Sequence, residues 1–429
     1  MRSVAFHTLG CKVNQYDSQA MLELFEQAGY QVRDFSEPAD VYVVNTCTVT
    51  GTGDKKSLNA VRRALRQNPA ADVVIAGCLA QRDGEKLLST GARLVIGNAR
   101  RGEVVKLLEE AIEKGQRVAA VTDILRTPYE PLFISRHEGH TRAVLKIQEG
   151  CDRYCTYCII PYVRGGIRSR RPEEIQQEAC RLAQAGFTEL VLTGIHLTSY
   201  GRDLEGQTLL DAVRACDVAG VCRIRLGSLE PVIVTEEFAQ ELSKIEKVCP
   251  QFHLALQSGS DTVLKRMRRR YTTDEFRRAA AILRQAFPGC AMTTDVITGF
   301  PGETEEEFAQ TMAFCREIGF ARMHVFPYSA RQGTPAAAMP GQVPKAVREE
   351  RARRLIAVGN ELARDYRAAQ VGQRMEVLIE ETDENGAGRG YTAQYIACAV
   401  PGGQPGQIVP VTITGLLDDG LTGELIKEP

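Results

Sequence analysis

The chain carries three cysteines within eight residues, and this stretch limits its possible fold and chemistry more than any other. Cys151, Cys155 and Cys158 are four and three positions apart. They are too close for separate disulfides and lack the fourth ligand of a closed zinc site. Three thiolates suit a cubane iron–sulfur cluster whose open iron binds a small molecule through amino and carboxylate groups. A zinc knuckle with a distant fourth ligand, or a reduced surface cysteine cluster, is the alternative.

The spacing of these cysteines also carries a family resemblance. It resembles the CxxxCxxC motif of radical S-adenosylmethionine (SAM) enzymes. The resemblance implies that Cys151, Cys155 and Cys158 hold a 4Fe-4S cluster and that its open iron binds SAM. One electron then splits SAM into methionine and a 5′-deoxyadenosyl radical. Such a radical removes hydrogen from an unactivated C–H bond, which no side-chain acid or base does at neutral pH.

Composition sets broad limits on the protein. A length of 429 residues predicts two to four domains, and 44% hydrophobic with 25% charged residues is typical of a globular protein. The first ten residues do not resemble a secretory signal, and no apolar run is long enough to span a bilayer. We therefore expect a cytoplasmic protein with no membrane partner. Thirteen cysteines, an odd number, favour ligation over a disulfide framework in that compartment.

Residues 1–136 alternate short apolar runs with helical stretches. This order predicts a parallel sheet covered by helices, an α/β fold. The helices are expected from about residue 17 to residue 29 and over 55–68. The strands are expected at 4–9, 41–45, 73–76 and 94–96.

Three more cysteines follow the first three of these strands. Cys11, Cys47 and Cys78 each come just after a predicted strand end. Because the carboxyl ends of parallel strands share one edge, where ligands bind in open α/β folds, the three thiols are expected to converge. They would then form a second three-thiolate metal site. The alternative is that each is a small buried hydrophobe, as free cysteines often are.

The contexts of these cysteines carry a second resemblance. The segments GCKVNQYDS from Gly10, NTCT from Asn45 and GCLAQ from Gly77 are similar to the cysteine motifs of the methylthiotransferase family. The resemblance implies that Cys11, Cys47 and Cys78 ligate a second 4Fe-4S cluster. Its open iron would hold the sulfur that is transferred.

Residues 137–368 contain six further strands, each followed by a helical stretch. Six βα units predict an open partial (β/α) barrel whose carboxyl-end loops form the site. The first strand leads into the Cys151 loop. The strands are expected at 143–147, 190–192, 223–226, 252–256, 292–297 and 324–326.

Polar and glycine residues at these strand ends resemble the SAM-binding positions of the radical SAM fold. By this resemblance Gly194 admits the methionine part of SAM, and Ser228 and Glu230 bind ribose hydroxyls or the amino group. Gln257 and Ser258 are placed on the next strand end, and Gly299 and Pro301 at the adenine edge. Taken singly, each is also a common turn residue. His196 is expected to have a packing or hydrogen-bonding role.

The net charge of −1 predicts no nucleic-acid partner, but the basic residues are clustered. One run covers 164–171 and another covers 265–270, and either could be a solvated face. Because the first run follows the cluster loop, we expect it at the mouth of the barrel, facing substrate phosphates. Its arginines are Arg164, Arg168, Arg170 and Arg171.

Residues 369–429 switch to the period-two pattern of strands and predict a small antiparallel β-barrel. The expected strands are 375–380, 391–400 and 408–414, with turns at 385–390 and 401–406. By position and length this part resembles the RNA-binding TRAM domain. Its basic residues are only Arg374, Arg389 and Lys427, so strong phosphate attraction is not expected. Docking through Tyr391, Tyr395 or backbone groups is the alternative role.

Within the family, the motifs around Cys11 and Cys151 look most like the branch that acts on N6-threonylcarbamoyladenosine in tRNA. The resemblance implies methylthiolation at C2 of that base, with SAM as methyl donor and radical source. The expected partners are the tRNA anticodon stem-loop and a reductant such as flavodoxin or ferredoxin. The sequence does not identify the sulfur donor. Alternative substrates are isopentenyladenosine and a ribosomal-protein aspartate. A two-cluster electron carrier and a zinc-stabilised RNA-binding protein are alternatives of other classes.

Overall fold

A computed structural model describes residues 1–137, 139–384 and 386–426. Lys427, one of the basic residues expected in the last domain, lies outside the described residues. Among the described residues, no helix combines the length and apolar character that crossing a bilayer demands.

The N-terminal part forms a six-stranded parallel sheet with strand order β2-β1-β3-β4-β5-β6. Helices cover both faces, so every residue of the central strands β3 and β4 is buried. The helices are α1 (Lys12–Gln27), α2 (Gly51–Gln67), α3 (Cys78–Asp83) and α4 (Val104–Glu113). The strands are β1 (Ser3–Thr8), β2 (Gln31–Arg33), β3 (Val41–Thr46), β4 (Asp72–Gly77), β5 (Leu94–Ile96) and β6 (Val118–Ala120).

The structure confirms the α/β arrangement of this part and corrects two details. Helix α1 begins at Lys12, five residues before the expected start at Asp17, because Cys11 already occupies the N-cap position. Strands β2 and β6 were not expected. Both have three residues and lie at the edges of the sheet, where the apolar signal of a buried strand is weak.

The central part is an open barrel of parallel strands. Strand β10 pairs with β7 on one side and β11 on the other, and the chain passes through Gly227 into β12. Strand β12 pairs with β13, β13 with β14, and β14 with β15. The six predicted βα units are therefore confirmed. The barrel strands are β7 (Arg142–Lys146), β10 (Glu189–Thr193), β11 (Arg223–Leu226), β12 (Ser228–Leu229), β13 (Gln251–Leu254), β14 (Ala291–Thr298) and β15 (Arg322–Pro327), and β8 (Gln148–Glu149) and β9 (Arg168–Ser169) form a separate antiparallel pair.

Helices cover the outside of this barrel, and a long helix leads to the last part. Alternation along β15 separates the two sides: Met323 and Val325 pack in the outer core, whereas Arg322, His324 and Phe326 face the lumen. The helices are α5 (Ile160–Arg164), α6 (Pro172–Gln184), α7 (Leu209–Ala215), α8 (Glu236–Ser243), α9 (Asp261–Arg266), α10 (Thr273–Ala286), α11 (Glu305–Ile318) and α12 (Lys345–Ala368).

The C-terminal part is a closed five-stranded barrel, β16-β17-β18-β20-β19. One predicted strand, 391–400, is instead two strands joined by a turn in which Tyr395 has φ +65°. The predicted turn at 385–390 is wrong from residue 387, where β17 begins, and β20 was not expected. Four pairings are antiparallel, but β18 and β20 run parallel. The strands are β16 (Arg374–Thr382), β17 (Ala387–Thr392), β18 (Ala397–Pro401), β19 (Ile408–Leu417) and β20 (Gly420–Leu425).

Two tyrosines dock this small barrel onto the start of the central strands. The rings of Tyr391 and Tyr395 stack with centroids 4.7 Å apart. The guanidinium of Arg142 lies 4.8 Å from the Tyr395 centroid, and that of Arg225 is equally close. Arg223 donates to the backbone oxygens of residues 376 and 391. The tyrosines and backbone groups proposed for docking are therefore used within the chain.

Candidate active site

The loop after β7 and β8 carries the first cysteine triad. Gly150 turns the chain with φ +73°, and the N–H of Cys151 then donates to Gly165 O at 2.9 Å. Within the loop, the N–H of Cys158 donates to Cys155 O at 2.9 Å. Burial raises the pKa of Cys151 to about 11 and that of Cys158 to about 12. Thiols held in this way become good ligands only when a metal supplies the positive charge that stabilises the thiolates.

A charged group surrounds Glu230 beside this triad. Its carboxylate lies 2.8 Å from Nη2 of Arg269, 3.0 Å from Nε of Arg153 and 3.1 Å from Nε2 of His196. Burial alone would raise the pKa of Glu230, but the nearby His196, Arg269 and Arg153 outweigh it and lower the pKa to about 2. Arg269 also reaches Cys155, with 3.4 Å between Nη1 and Sγ. Glu230 is thus an ionised group directly connected to the cysteine loop.

Several polar atoms of this group are buried without a hydrogen-bond partner. Among the described residues they include Nε of Arg153, Nε2 of His196, Nη2 of Arg269 and Oδ1 of Asp152. The ion pairs with Glu230 are therefore close contacts with poor hydrogen-bond geometry. Buried polar groups are normally paired, so this concentration beside three thiols fits a site that receives a polar ligand. The amino, carboxylate and hydroxyl groups of SAM are ligands of that kind.

The second cysteine triad forms at the carboxyl edge of the N-terminal sheet. Cys11 begins α1 after β1, Cys47 follows β3, and Cys78 begins α3 after β4. A Cβ at Gly10 would lie 3.1 Å from Sγ of Cys47, so glycine is required there. Burial raises the pKa of Cys11, and it raises the pKa of Cys47 to about 11; in both cases Cys78 raises it further. The structure therefore brings together the three predicted thiols.

Helix α5 lies between the two triads. It starts two residues after Cys158 and ends at Arg164, whose Nε is 3.2 Å from Sγ of Cys78. Cys78 also packs against Ile159 and Val163. Asn98 fixes the same place, because its Nδ2 donates to Val163 O at 2.8 Å and lies 3.5 Å from the sulfur of Cys78. Both triads therefore border one short helix.

The expectation that the basic run after the cluster loop faces substrate phosphates is wrong for three of its four arginines. Arg164, Arg168 and Arg170 are buried, and only Arg171 is exposed. Arg170 pairs with Glu178, and Arg168 donates to Arg164 O at 2.7 Å. These guanidinium groups are already occupied inside the protein. In the second run, Lys265, Arg268 and Arg270 remain exposed.

Arg164 belongs to a buried charge network that joins the first two parts of the chain. Asp17 of α1 pairs with Arg101, Lys146 and Arg164. Glu149 faces the same three cations, with 2.7 Å to Arg164, and their charges outweigh burial to lower its pKa well below the ordinary value. Every member is almost completely buried. The network fixes the N-terminal triad relative to the barrel.

The remaining predicted SAM contacts have different surroundings. Ser228 is exposed on β12, one of the strands of the barrel. Gly194 is enclosed, since a Cβ there would lie 2.8 Å from Cβ of Gln148. The side chain of Gln148 donates to Gly150 O and accepts from His196 N at 2.7 Å. The absence of a side chain at Gly194 thus leaves room for Gln148, whose hydrogen bonds connect the cluster loop to the residues that follow β10.

Farther round the barrel, Ser258 is fully buried, and its hydroxyl is 3.2 Å from that of Thr311 on α11. Gln257 has φ +65° and bridges to β14 through its backbone. Gly299 has φ +67°, and a Cβ there would clash with Arg348. Pro301 is buried beside it. A SAM contact at each of these positions stays a prediction.

A row of connected polar side chains lies in the lumen of the barrel, and the sequence did not predict it. On β11 and β13, Arg225 lies 3.3 Å from Gln251, which donates to Thr293 of β14 at 3.2 Å. Thr293 also contacts His253 at 3.1 Å. From there Asp295 connects two imidazoles, those of His253 and His324. Side chains from four neighbouring strands therefore form one connected polar surface inside the barrel.

Sequence reasoning also missed Arg153, Arg269 and Lys12 as site residues. Arg269 lay within the basic run that was noted, but its spacing gave no sign of Cys155 as a partner. The side chain of Lys12 is exposed to solvent, yet the surrounding protein lowers its pKa through burial. Its position next to Cys11 was the available signal.

Comparison with known families gives matches to three parts of the chain. Residues 3–97 match the uncharacterized protein family UPF0004, residues 145–315 match the radical SAM superfamily, and residues 368–426 match the TRAM domain. Together these ranges cover both cysteine triads, most of the barrel up to β14 and the C-terminal part.

Relatives align over nearly the whole chain. The threonylcarbamoyladenosine tRNA methylthiotransferase MtaB of Bacillus subtilis (strain 168) is 45% identical, covering 96% of this chain and 94% of its own. The MtaB of Aquifex aeolicus (strain VF5) is 39% identical over 88% and 93%. The tRNA-2-methylthio-N(6)-dimethylallyladenosine synthase of Pelotomaculum thermopropionicum is 36% identical over 99% and 98%.

Among solved structures, the chain resembles the radical S-adenosylmethionine methyltransferase TsrM from Kitasatospora setae, with cobalamin and a 4Fe-4S cluster bound. The TM-score is 0.57 at 16% identity, covering 79% of this chain and 77% of TsrM. At that identity the likeness concerns the fold alone. It agrees with a parallel α/β part placed before a radical SAM barrel.

Proposed function

Because the chain belongs to the radical SAM methylthiotransferase family, we propose that it adds a methylthio group to C2 of N6-threonylcarbamoyladenosine beside the anticodon of tRNA. The convergence of two cysteine triads on helix α5 carries this proposal, since a hydrogen-abstracting centre and a sulfur-carrying centre must share one substrate. The higher identity to the two MtaB enzymes, 45% and 39%, than to the 36% of the dimethylallyladenosine enzyme favours the threonylcarbamoyl substrate.

The radical SAM family implies one 4Fe-4S cluster and SAM, and Cys151, Cys155 and Cys158 are the residues that would hold that cluster. We assign Cys11, Cys47 and Cys78 to a second 4Fe-4S cluster. When bound, the clusters and SAM supply the radical, the methyl group and the sulfur site. The surrounding unpaired polar atoms fit a bound SAM molecule.

The chain's own residues contribute charge and position. Glu230, held ionised, is placed to bind a cationic or hydroxyl group of SAM beside the first triad. Arg269 at Cys155 and Arg164 at Cys78 each place a positive charge next to a thiolate. A cation there stabilises the anionic form of the sulfur. Gly194, Ser228, Gln257, Ser258, Gly299 and Pro301 remain proposed SAM contacts.

The proposal divides the chain into a cluster-carrying domain at 1–136, a radical SAM domain at 137–368 and a TRAM-like domain at 369–429. It includes the tRNA anticodon stem-loop as substrate and a reducing protein such as flavodoxin or ferredoxin. It also places the reaction in the cytoplasm. The exposed cations Arg171, Lys265, Arg268 and Arg270 are the candidates for phosphate contacts.

Two cysteine substitutions test the division of roles. Cys155→Ala is expected to abolish SAM cleavage, because one ligand of the SAM-binding cluster is lost. Cys47→Ala is expected to keep SAM cleavage and to stop sulfur transfer. The measurements are 5′-deoxyadenosine release and mass spectrometry of tRNA nucleosides, with Cys222→Ala, an exposed cysteine outside both triads, as control. Full methylthiolation by Cys47→Ala would contradict the sulfur-carrying role.

A deletion strain tests the substrate. Loss of methylthiolated threonylcarbamoyladenosine from its tRNA is the expected result, and an unchanged level would reject this substrate. Loss of methylthiolated isopentenyladenosine, or of the ribosomal-protein modification, would favour one of the other family substrates. Failure of the reduced protein to cleave SAM would favour an electron carrier. Zinc without iron in the purified protein would favour a zinc-stabilised RNA-binding protein.

A further inference from the structure

Strand β15 presents three chemically different side chains to the lumen. Arg322, His324 and Phe326 are separated by two residues each, so they lie on one face at steps of about 7 Å. Phe326 is 48% exposed, which is unusual for a phenyl ring on a strand inside a barrel. The His324 side chain is 45% exposed. The strand therefore offers an aromatic ring, an imidazole and a guanidinium in sequence from the cluster end downward.

Neighbouring strands hold His324 in position. Its Nδ1 lies 3.2 Å from Oδ1 of Asp295, and the other carboxylate oxygen lies 3.5 Å from Nε2 of His253. Burial alone would raise the pKa of Asp295, but the two imidazoles outweigh it and lower the pKa well below its ordinary value. An ionised carboxylate only accepts hydrogen bonds, so Nδ1 of His324 must carry the proton. The ring is thereby fixed with Nε2 left for a ligand.

The lower part of this face lacks a partner. Within the described residues, Nε2 of His324 and the guanidinium of Arg322 have no hydrogen-bond or ion-pair partner, although the charge of Arg322 opposes the rise that burial causes in the pKa of Tyr391. Both residues line a cleft of about 1260 Å³ between β15, α12 and the C-terminal barrel. In its doubly protonated form, His324 donates from both nitrogens, to Asp295 through Nδ1 and to a ligand through Nε2. Two cationic groups are thus available to one anion.

We propose that this face of β15 binds the target adenosine, with its ring against Phe326 and the carboxylate of its threonylcarbamoyl arm on His324 and Arg322. The inference rests on the proposed function and adds the residues that read the N6 substituent. A carboxylate satisfies both unpaired donors with charge-assisted hydrogen bonds. The apolar dimethylallyl arm would cover the same donors and leave them without a hydrogen-bond partner. Burying unpaired donors costs free energy, so the site would disfavour that substrate.

The position of the three residues along the strand fits the dimensions of the substrate. Phe326 is next to the last residue of β15, near the carboxyl edge where the cysteine loop lies. His324 and Arg322 lie about 7 Å and 13 Å farther down. With C2 of the base directed at that edge, the N6 arm extends away from it toward the floor of the barrel. The anion then reaches the cations without moving the base.

The test compares two anticodon stem-loop RNAs, one with threonylcarbamoyladenosine and one with the neutral primary-amide analogue of its arm. Reconstituted holoenzyme is used, and kcat/KM for methylthiolation is measured. Replacing the carboxylate by the amide is expected to lower kcat/KM of the wild type about tenfold to a hundredfold, the usual effect of a charged hydrogen bond. His324→Ala should lower it to a similar extent for the carboxylate RNA and hardly at all for the amide RNA. Arg322→Gln should act in the same direction.

Two controls separate recognition from damage to the fold. His7→Gln replaces a histidine that packs on Phe35 in the N-terminal part, and it is expected to behave like the wild type on both RNAs. SAM cleavage without RNA should be unchanged in His324→Ala, since His324 does not contact either triad. Loss of that cleavage together with loss of activity on the amide RNA would overturn the assignment in favour of a structural role.

The outcomes also separate this inference from the proposed function. A wild-type enzyme that modifies dimethylallyladenosine RNA and not threonylcarbamoyladenosine RNA contradicts the proposed function. A wild type that modifies both threonylcarbamoyl and amide RNAs equally, with His324→Ala unaffected, contradicts only the role of β15. Metal beyond the two clusters that His324→Ala removes would also overturn it, because His253, Asp295 and His324 would then be a metal site.

Discussion

At Gly150 the backbone adopts φ +73° directly before Cys151, and a Cβ would collide with the carbonyl oxygen of Gly166. Two features exclude a side chain at this position. The backbone is in the left-handed conformation, and the loop at Gly166 approaches it closely. This glycine positions Cys151, the first thiol of the triad proposed to bind SAM. A single added methyl group should therefore affect metal binding as well as stability.

We predict that Gly150→Ala lowers the free energy of unfolding and the iron content. The matched control is Gly289→Ala, which has the same φ of +73° but no atom within 4 Å of the added Cβ. The control should lose only about 1 kcal/mol from backbone strain, and Gly150→Ala about 1–3 kcal/mol more from the clash. Denaturant titration and iron analysis measure the two effects. Equal losses in both variants would show that the close approach is unimportant.

Residues differ in how far their roles can be predicted from sequence. The strand-end positions of Cys11, Cys47 and Cys78 and the loop position of the Cys151 triad could be predicted because they follow from local patterns of spacing and apolar runs. The buried arginines were not, because a run such as 164–171 looks the same whether its charges face phosphates or carboxylates. Arg164 meets Asp17 and Glu149, which are far away in sequence. Only the folded chain supplies these partners.

At the scale of elements, the predicted strands were mostly those with a continuous apolar run. Short edge strands such as β2 and β6, and the hairpin of β17 and β18, were missed or merged because their apolar signal is weak. The row of polar side chains in the lumen was also missed. The alternating polar residues on β13 to β15 give the same sequence pattern as a sheet with one face exposed to solvent. Barrel closure determines that this polar face points inward.

The docking of the C-terminal barrel depends on one turn. Tyr395 lies between Arg142 and Arg225, each 4.8 Å from its ring centroid, and stacks on Tyr391. We predict that Tyr395→Ala weakens this docking by about 2 kcal/mol, because two cation–π contacts and a ring stack are lost. The test is faster hydrogen exchange in β17 and β18 of the variant.

Leu416→Ala is the control for this prediction, because Leu416 is 44% exposed in the same small barrel. Alanine and tyrosine have a similar conformational cost in the left-handed backbone at position 395. The comparison of wild type and Tyr395→Ala therefore measures the effect of losing the ring. Unchanged exchange in Tyr395→Ala would mean that backbone contacts with Arg223 alone hold the domain.

At the scale of the whole molecule, the buried charge network joins the N-terminal sheet to the central barrel. Asp17 is 1% exposed and faces three cations, Arg101, Lys146 and Arg164. Asp17→Asn keeps the shape and removes the charge, which leaves buried positive charge uncompensated. We predict a loss of about 3–5 kcal/mol in the free energy of unfolding.

Circular dichroism during denaturant titration measures this loss, since the chain has no tryptophan. The control is Asp34→Asn, an exposed aspartate whose carboxylate accepts hydrogen bonds from the N–H and the hydroxyl of Ser36. If Asp17→Asn is no less stable than the control, the network contributes positioning and no net stability. A second, earlier transition in the variant would mean that the two domains unfold separately once the charge is removed.

Helix α5 runs from the neighbourhood of Cys158 to Arg164 at Cys78, and it has only five residues. A helical segment about 7.5 Å long therefore connects the loop of one cysteine triad to the arginine that contacts the other. Under the proposed function, a base that enters the lumen would meet both reagents at a spacing that this short connection fixes. Turnover by such an enzyme should be paced by arrival and departure of the RNA, with no large closing motion between the breaking of one bond and the making of the next.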